Sequence, residues 1–415
     1  MEPMAAPERV VVINDDAVSR GGAGAVALAS VGLMRERQIP VAFLSGNAEI
    51  DPTLAEQGVE TIVLGGRHLL ARPRGSAALR GLFDPTTRTA LSRWIAANDT
   101  PGTVYHLHNW HKVLSPSVFV ALRRVAPRLV MTAHDYFLAC PNGGYFVYPR
   151  QHECSLVPNG RRCLTTACDR RNFGHKIWRL ARHRVRLSLI DLEVLPVLVI
   201  AVHEAMVPLL TRGAVPACRI RVVRNPVVPW RRERVPAERN REVFFIGRLD
   251  GDKGPDLLAR AARQAGVRLR LIGDGPLAAT IARDHPEVEL LGWRSRAEIA
   301  ELIRDARIVV SPTRSRETFG LVALEALTSG IPVIVSRYFA LAGEIAGRGL
   351  GRVCNPYDEA SLAAMIRDLA DDDDAVADIS RRAFSDAGSL APSPAEWCDD
   401  LLALYADRVE EARAC

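Results

Sequence analysis

The chain has 415 residues, a length that suits two or three domains and leaves ample apolar surface for real cores. Hydrophobic residues make up 48% and charged residues 25%, and the net charge of +6 suits anionic ligands without the concentrated basic tail that nucleic acid would favour. The longest apolar run, near Leu195 to Val202, is far too short to span a bilayer, and the acidic opening Met1–Glu8 lacks the basic flank and long apolar core of an export signal, so a cytoplasmic protein is expected.

In chain order, the first short β-branched run is Val10–Ile13. It leads into Asn14-Asp-Asp-Ala-Val-Ser-Arg-Gly21-Gly22-Ala-Gly24 and a helix from about Ala23 to Arg35. Gly21, Gly22 and Gly24 let backbone approach a ligand, and a helix N-terminus receives anions. The stretch Gly22-Ala-Gly24-Ala-Val-Ala27 fits a dinucleotide pattern. Its loop is too long, however, and no acidic residue closes the next strand, Val41–Leu44, which argues against NAD. A plain turn that needs glycine is the simpler alternative.

After a strand at Thr61–Leu64, two further strands end in polar clusters. Thr103–Leu107 runs into His106-Leu-His108-Asn109-Trp-His111, and Leu129–Thr132 runs into His134-Asp135-Tyr136. Parallel neighbours bring such strand ends together, which makes His108, Asn109, His134 and Asp135 site candidates. His106 alternates to the other face and reads as structural.

Next come Cys140, Cys154, Cys163 and Cys168, all within 29 positions, in what reads as an insertion over residues 136–175. The spacings miss the paired CxxC form. A structural zinc on the four thiolates, free or redox-active thiols, and disulfides all stay open. The following helix, Lys176 to Leu187, sets Ile177, Leu180, Ala181, Val185 and Leu187 beside several arginines. It reads either as a packed helix with a solvated basic face or as a helix lying on anionic lipid.

Strands at Val197–Ala201 and Ile220–Val223 complete the first half. The periodicity lapses at Asn225-Pro-Val-Val-Pro-Trp-Arg-Arg, where a domain boundary belongs. In the second half strands fall at Val243–Ile246, Leu269–Ile272, Val288–Leu291, Ile308–Val310, Pro332–Val335 and Gly351–Cys354. The acidic run Asp371–Asp374 reads as a solvated loop. A last helix from Pro394 follows a Ser/Pro/Gly-rich stretch and is expected to return to the first domain. The alternation of strand and helix predicts an α/β protein with two doubly wound parallel sheets: residues 1–225, residues 226–393, and a returning helix 394–415. Two such domains facing a cleft place ligands at the carboxyl ends of their strands.

The second half carries the denser chemistry. Gly247-Arg248 ends one strand and Lys253-Gly254 opens a helix, so two cations with glycines around them suit a diphosphate clamp, with two surface basics in an Arg-rich protein as the alternative. Gly273-Asp274-Gly275 permits close approach of a nucleotide, and Trp293 after Gly292 is placed to wall a base pocket, with plain packing as its alternative. Glu317 and Glu325 bracket Phe319-Gly320, the mouth of a helix. Two carboxylates beside a helix N-terminus suit sugar and ribose hydroxyls next to a phosphate.

As an ordered set, Asn225-Pro226, Gly247-Arg248-Leu249 with Lys253-Gly254, Gly273-Asp274-Gly275, Gly292-Trp293 and Ser311-Pro-Thr-x3-Glu317-Thr-Phe-Gly-x4-Glu325-Ala-x3-Gly330-Ile-Pro resemble the retaining glycosyltransferases of GT-B fold, the "glycosyl transferases group 1" or family four. The resemblance implies transfer of a sugar from a nucleotide-diphosphate donor to a glycan or lipid-linked acceptor in polysaccharide or glycoconjugate assembly. It implies that Arg248 and Lys253 meet the donor diphosphate, that Glu317 holds donor-sugar hydroxyls with the Phe319 and Gly320 backbone nearby, and that Glu325 binds the ribose. Gly22 then meets the distal phosphate and His134 lies beside the donor sugar. No metal is needed for transfer. The first domain, with its insertion, would shape acceptor choice, and a peripheral contact with the inner face of an anionic membrane is expected of a lipid-linked acceptor. The rivals are a nucleotide-sugar epimerase of similar fold and a non-catalytic nucleotide-sugar-binding scaffold.

Overall fold

The computed structural model describes residues 7–19 and 21–414. The Met1–Ala6 part of the opening, and Arg20 of the glycine-rich loop, lie outside the described residues.

The chain divides into two compact units. The first comprises residues up to Tyr145, Ser155–Arg224 and Pro394 onward; the second comprises Phe146–Cys154 and Asn225–Ser393. The strands are β1 (Arg9–Asn14), β2 (Val41–Ser45), β3 (Glu60–Val63), β4 (Thr103–Leu107), β5 (Leu129–Ala133), β6 (Phe146–Val147), β7 (His152–Glu153), β8 (Leu198–Ala201), β9 (Ile220–Val222), β10 (Glu242–Ile246), β11 (Leu269–Ile272), β12 (Glu289–Gly292), β13 (Ala306–Ser311), β14 (Val333–Ser336) and β15 (Gly351–Cys354).

The first unit holds a parallel sheet in the order β3-β2-β1-β4-β5-β8-β9. The second holds another in the order β12-β11-β10-β13-β14-β15. Both are doubly wound, as the alternation of β-branched runs and helical patterns predicts. Val10–Ile13 and Ile308–Val310 are wholly buried, the mark of central parallel strands covered on both faces. The order reverses between β1 and β4 in one sheet and between β10 and β13 in the other. Those reversals are where such sheets open a ligand crevice.

The core of the second unit gathers Val243, Phe245, Leu257, Leu258, Leu271, Ile308, Ile334 and Leu362 from strands and covering helices. The C-terminal helix, Pro394–Ala414, belongs to the first unit. Its Tyr405 hydroxyl meets His106 Nδ1 at 2.7 Å, and Arg408 donates to the carbonyls of Pro127 and Pro196.

Three expectations need correction. Within the expected first-domain insertion 136–175, Phe146–Cys154 clusters with the second unit, where the antiparallel β6–β7 pair carries Glu153 to within 2.6 Å of Arg316. The acidic run is exposed, as expected, but it is no loop, because it joins the helices Glu359–Asp371 and Asp373–Asp386 and lies mostly within them. Asp372 caps the second of these through Ala375 N–H, and Asp373 takes the guanidiniums of Arg241 and the fully buried Arg307 at 2.7 Å each.

The helix Phe173–Leu189 is inverted relative to the expected solvated basic face. Lys176, Arg182, His183 and Arg186 are buried with Leu180, while Phe173, Ile177 and Arg184 face out. Arg182 donates to Gly81 O at 2.8 Å and lies over the rings of Trp110 and Trp178. Arg186 donates to Leu138 O. Buried carbonyls and indole faces thus partner guanidiniums that periodicity alone assigns to solvent.

Candidate functional site

In the second unit, one loop carries a carboxylate to a cation from another strand end. Residues 312–317 after β13 are tied to the Gly251–Lys253 turn after β10. Thr313 Oγ1, Arg314 N–H and Ser315 N–H all donate to Asp252 O, at 2.9, 2.8 and 3.2 Å. The buried Arg314 side chain adds a two-pronged pair with Asp256 (2.8 and 2.9 Å) and a bond to Gly251 O. The Glu317 backbone is fixed by Glu317 N–H to Tyr338 O and Ala340 N–H to Glu317 O, both 3.0 Å. Lys253 Nζ therefore meets Glu317 Oε2 at 2.5 Å.

The helix Leu321–Thr328 starts just beyond, with Gly320 at its N-cap and no side-chain cap on its free N–H groups. Gly320 has φ +88°, and a Cβ there would stand 2.4 Å from the Phe339 ring, so no other residue fits. Phe319 is buried, leaving its backbone rather than its ring at the helix mouth. Arg248 stands 60% exposed, paired with Asp250 and 4.0 Å from Asp252. At the end of β11, a Cβ on Gly273 would fall 2.0 Å from Gly247 O, so the two strand ends touch through bare backbone. Gly275 is pressed against Leu249 in the same way. Trp293 is 66% exposed, its backbone N–H donating to Asp274 Oδ2 at 3.2 Å. Glu325, about a turn into the helix, is nearly buried and paired with Arg296. Burial pushes its carboxyl up, and Arg296 opposes that rise.

In the first unit, Gly21 (φ +133°) precedes the helix Gly22–Glu36, whose N-terminus likewise has no side-chain cap. The buried Asp15 accepts four backbone N–H bonds, from His111, Lys112, Val113 and Leu114 at 2.8–3.0 Å, and Asn14 Oδ1 accepts from Asn109 N–H at 3.0 Å. This anchors the loop after β4 and sets His108 Nδ1 2.9 Å from His134 Nε2, with the two rings stacked 5.2 Å apart. Burial lowers the His134 imidazole to about 4 and holds His108 well below its ordinary value, so both are neutral at pH 7. Burial pushes Asp135 up to about 6; its Oδ1 accepts from Phe137 N–H and its Oδ2 lies 3.7 Å from His111 Nε2. His106 points away, between Tyr405 and Thr132.

Asn14, Asp15, Arg296, Arg314 and Asp256 escape a sequence reading, because their partners lie far off in the chain. Asp15-Asp16 after the first strand was the one visible hint, and its glycine-rich neighbours overshadowed it.

The zinc reading of Cys140, Cys154, Cys163 and Cys168 is corrected. Cys140 Sγ donates to Asn142 Oδ1 (3.1 Å), whose amide nitrogen meets Cys168 Sγ (3.3 Å), and the buried Lys176 ammonium sits 3.4 Å from Cys163 Sγ. An amide and a cation stand among the thiols, and Cys154 belongs to the other unit. Among the described residues no three His, Cys, Asp or Glu side chains gather as metal ligands. Cys140, Cys163 and Cys168 are free thiols.

Two parallel doubly wound units of this kind define the GT-B fold. Solved structures match it along nearly the whole chain: sucrose-phosphate synthase from Thermosynechococcus elongatus (TM-score 0.71, 18% identity, 96% of this chain and 98% of that one) and Anabaena Alr3699/HepE in complex with UDP and glucose (TM-score 0.67, 18% identity, 95% and 98%). Residues 229–386 match the family model described as Glycosyl transferases group 1, and this segment belongs to that family. The D-inositol 3-phosphate glycosyltransferase of Mycolicibacterium smegmatis is 32% identical over 185 residues, which are 41% of this chain and 41% of that relative. The match thus spans less than half the length of the curated relative.

Proposed function

We propose that the chain is a retaining, nucleotide-sugar-dependent glycosyltransferase acting on a saccharide or lipid-linked saccharide in polysaccharide or glycoconjugate assembly. The observation that carries this reading is the Lys253–Glu317 pair at the β10/β13 reversal, beside the uncapped helix Leu321–Thr328. A donor diphosphate would draw Lys253 to itself, with Arg248 as the second cation and the helix N–H groups as donors. That exchange releases the Glu317 carboxylate to accept bonds from donor-sugar hydroxyls. Gly247, Gly273 and Gly275 leave room for the nucleotide, Trp293 walls its base, and Glu325 takes the ribose.

From the first unit, the reading assigns Gly22 to the distal phosphate, neutral His134 to the donor sugar, and His108, Asn109 and Asp135 to the acceptor side. The acceptor oxygen forms its bond to the anomeric carbon on the face from which the diphosphate departs. The anomeric carbon–phosphate oxygen bond breaks, and the acceptor proton passes to the leaving phosphate. Positive charge fixed around that phosphate is the main stabilisation. Glu317 holds hydroxyls and is no nucleophile.

Incubation with uridine, guanosine and adenosine diphosphate sugars tests this reading. Release of nucleoside diphosphate that depends on added saccharide is expected. An isomerised sugar nucleotide formed without acceptor would instead establish an epimerase, and a tightly bound but unchanged donor a scaffold.

For the partner surface, we infer a peripheral contact with anionic lipid on the inner face of the membrane. Exposed Phe173 and Ile177 lie one turn apart on their helix, and the neighbouring segment exposes Leu70 and Leu79 with Arg67 and Arg74. Among the described residues no helix is long and apolar enough to cross a membrane. Cosedimentation with phosphatidylglycerol vesicles but not phosphatidylcholine vesicles, lost in Ile177→Asp, is expected.

A further inference from the structure

We infer that Arg296 is a positioning residue for the ribose: its guanidinium holds Glu325 by Oε1 and leaves Oε2 to take a ribose hydroxyl. The inference rests on the donor-site reading above.

Arg296 opens the helix Arg296–Leu302, where a capping box fixes the backbone. Ser295 Oγ receives Glu298 N–H, and the Glu298 carboxylate receives Ser295 N–H at 2.8 Å. From that rigid start the side chain reaches a helix 29 positions away. One nitrogen binds Glu325 Oε1, and the other binds the carbonyls of Val228 and Pro229. The segment that supplies those carbonyls is tied to the same helix. Ser329 Oγ donates to Glu325 O at 2.7 Å and accepts from Trp230 N–H and Arg231 N–H at 3.0 and 3.2 Å. Guanidinium, carboxylate and supporting carbonyls therefore form one braced unit.

The pairing is uneven. The Arg296 side chain is 47% exposed and that of Glu325 only 15%. Burial pushes the Glu325 carboxyl up and the Arg296 guanidinium opposes that rise, and a proton taken up there would turn an acceptor site into a donor. Oε2 makes no hydrogen bond to another described residue. Each carboxylate oxygen accepts twice, so the guanidinium and a ribose diol can share Glu325. Arg296 thus keeps Glu325 ionised and aimed without itself touching the hydroxyls.

The test titrates uridine, guanosine and adenosine diphosphates, each against its 2′,3′-dideoxy counterpart, into the full chain and into Glu325→Gln, Arg296→Ala and Arg296→Lys, from pH 5 to 8. Thermal melts check that each variant is folded. The native chain should prefer the ribose form of its cognate nucleotide by roughly tenfold or more, and Glu325→Gln should lose that preference. Arg296→Ala should lose most of it too, and should lose the remainder on acidification at a higher pH than the native chain, while Arg296→Lys retains it. If Glu325→Gln abolishes the preference but Arg296→Ala keeps both it and the native pH profile, the role of Arg296 is overturned. If Glu325→Gln itself keeps the preference, the ribose assignment beneath it fails instead.

Discussion

The second unit's two candidate carboxylates are each engaged with a cation, yet the proposed reading gives them different tasks. In the proposed reading Glu317 gives up Lys253 to the incoming diphosphate, whereas Glu325 keeps Arg296 throughout. Glu317→Gln should therefore lower turnover by about a hundredfold, a loss of charge-assisted contact at the reacting sugar, while nucleoside diphosphate affinity by calorimetry stays near native. A variant that turns over normally would remove Glu317 from the chemistry. Arg248, Lys253, Glu317 and Glu325 were legible because each sits in a short pattern of glycine, turn and helix start. Arg314 was not, since its meaning lies in Asp256, 58 positions away. No local spacing predicts that a basic residue three positions before Glu317 will clamp the Lys253 turn.

Among the elements, the helix Phe173–Leu189 separates what periodicity can and cannot say. Its existence was plain in the sequence, but its orientation was not. Hydrophobic patterning counts every arginine as outward, whereas a long apolar stem with a planar, multi-donor head packs well on Trp110 and Trp178 and satisfies Gly81 O. Arg182→Ala should therefore cost about 2–4 kcal/mol of stability, through an emptied site and a bare carbonyl, and exposed Arg184→Ala less than about 0.5 kcal/mol. Chemical denaturation of the two variants settles the orientation; equal effects would restore the outward basic face. The strands were the easiest elements to read, because buried parallel strands are continuous β-branched runs. The two-residue β6 and β7 left no such trace.

For the molecule as a whole, buried neutral histidines set the response to acid. Burial lowers His106 to about 3, His134 to about 4 and His183 to about 3. The unfolded chain protonates these rings near 6.5 while the folded chain refuses the proton, so their stabilisation is full above about pH 6.5 and is lost as pH falls toward 4. Asp135, raised to about 6, works in the opposite direction by one proton. The balance still favours the histidines, and the melting temperature should fall by roughly 5 °C between pH 7.5 and pH 5. A flat profile in calorimetry would mean that the rings are not buried neutral.

In the proposed function the second unit binds a nucleoside diphosphate through Lys253. Titrating uridine, guanosine and adenosine diphosphates into the native chain and into Lys253→Ala by isothermal calorimetry tests it most directly. One nucleotide should bind with a dissociation constant in the micromolar range, weakened about tenfold or more by the substitution. Binding by none of the three, or equal binding to Lys253→Ala, would mean that Lys253 holds no donor diphosphate.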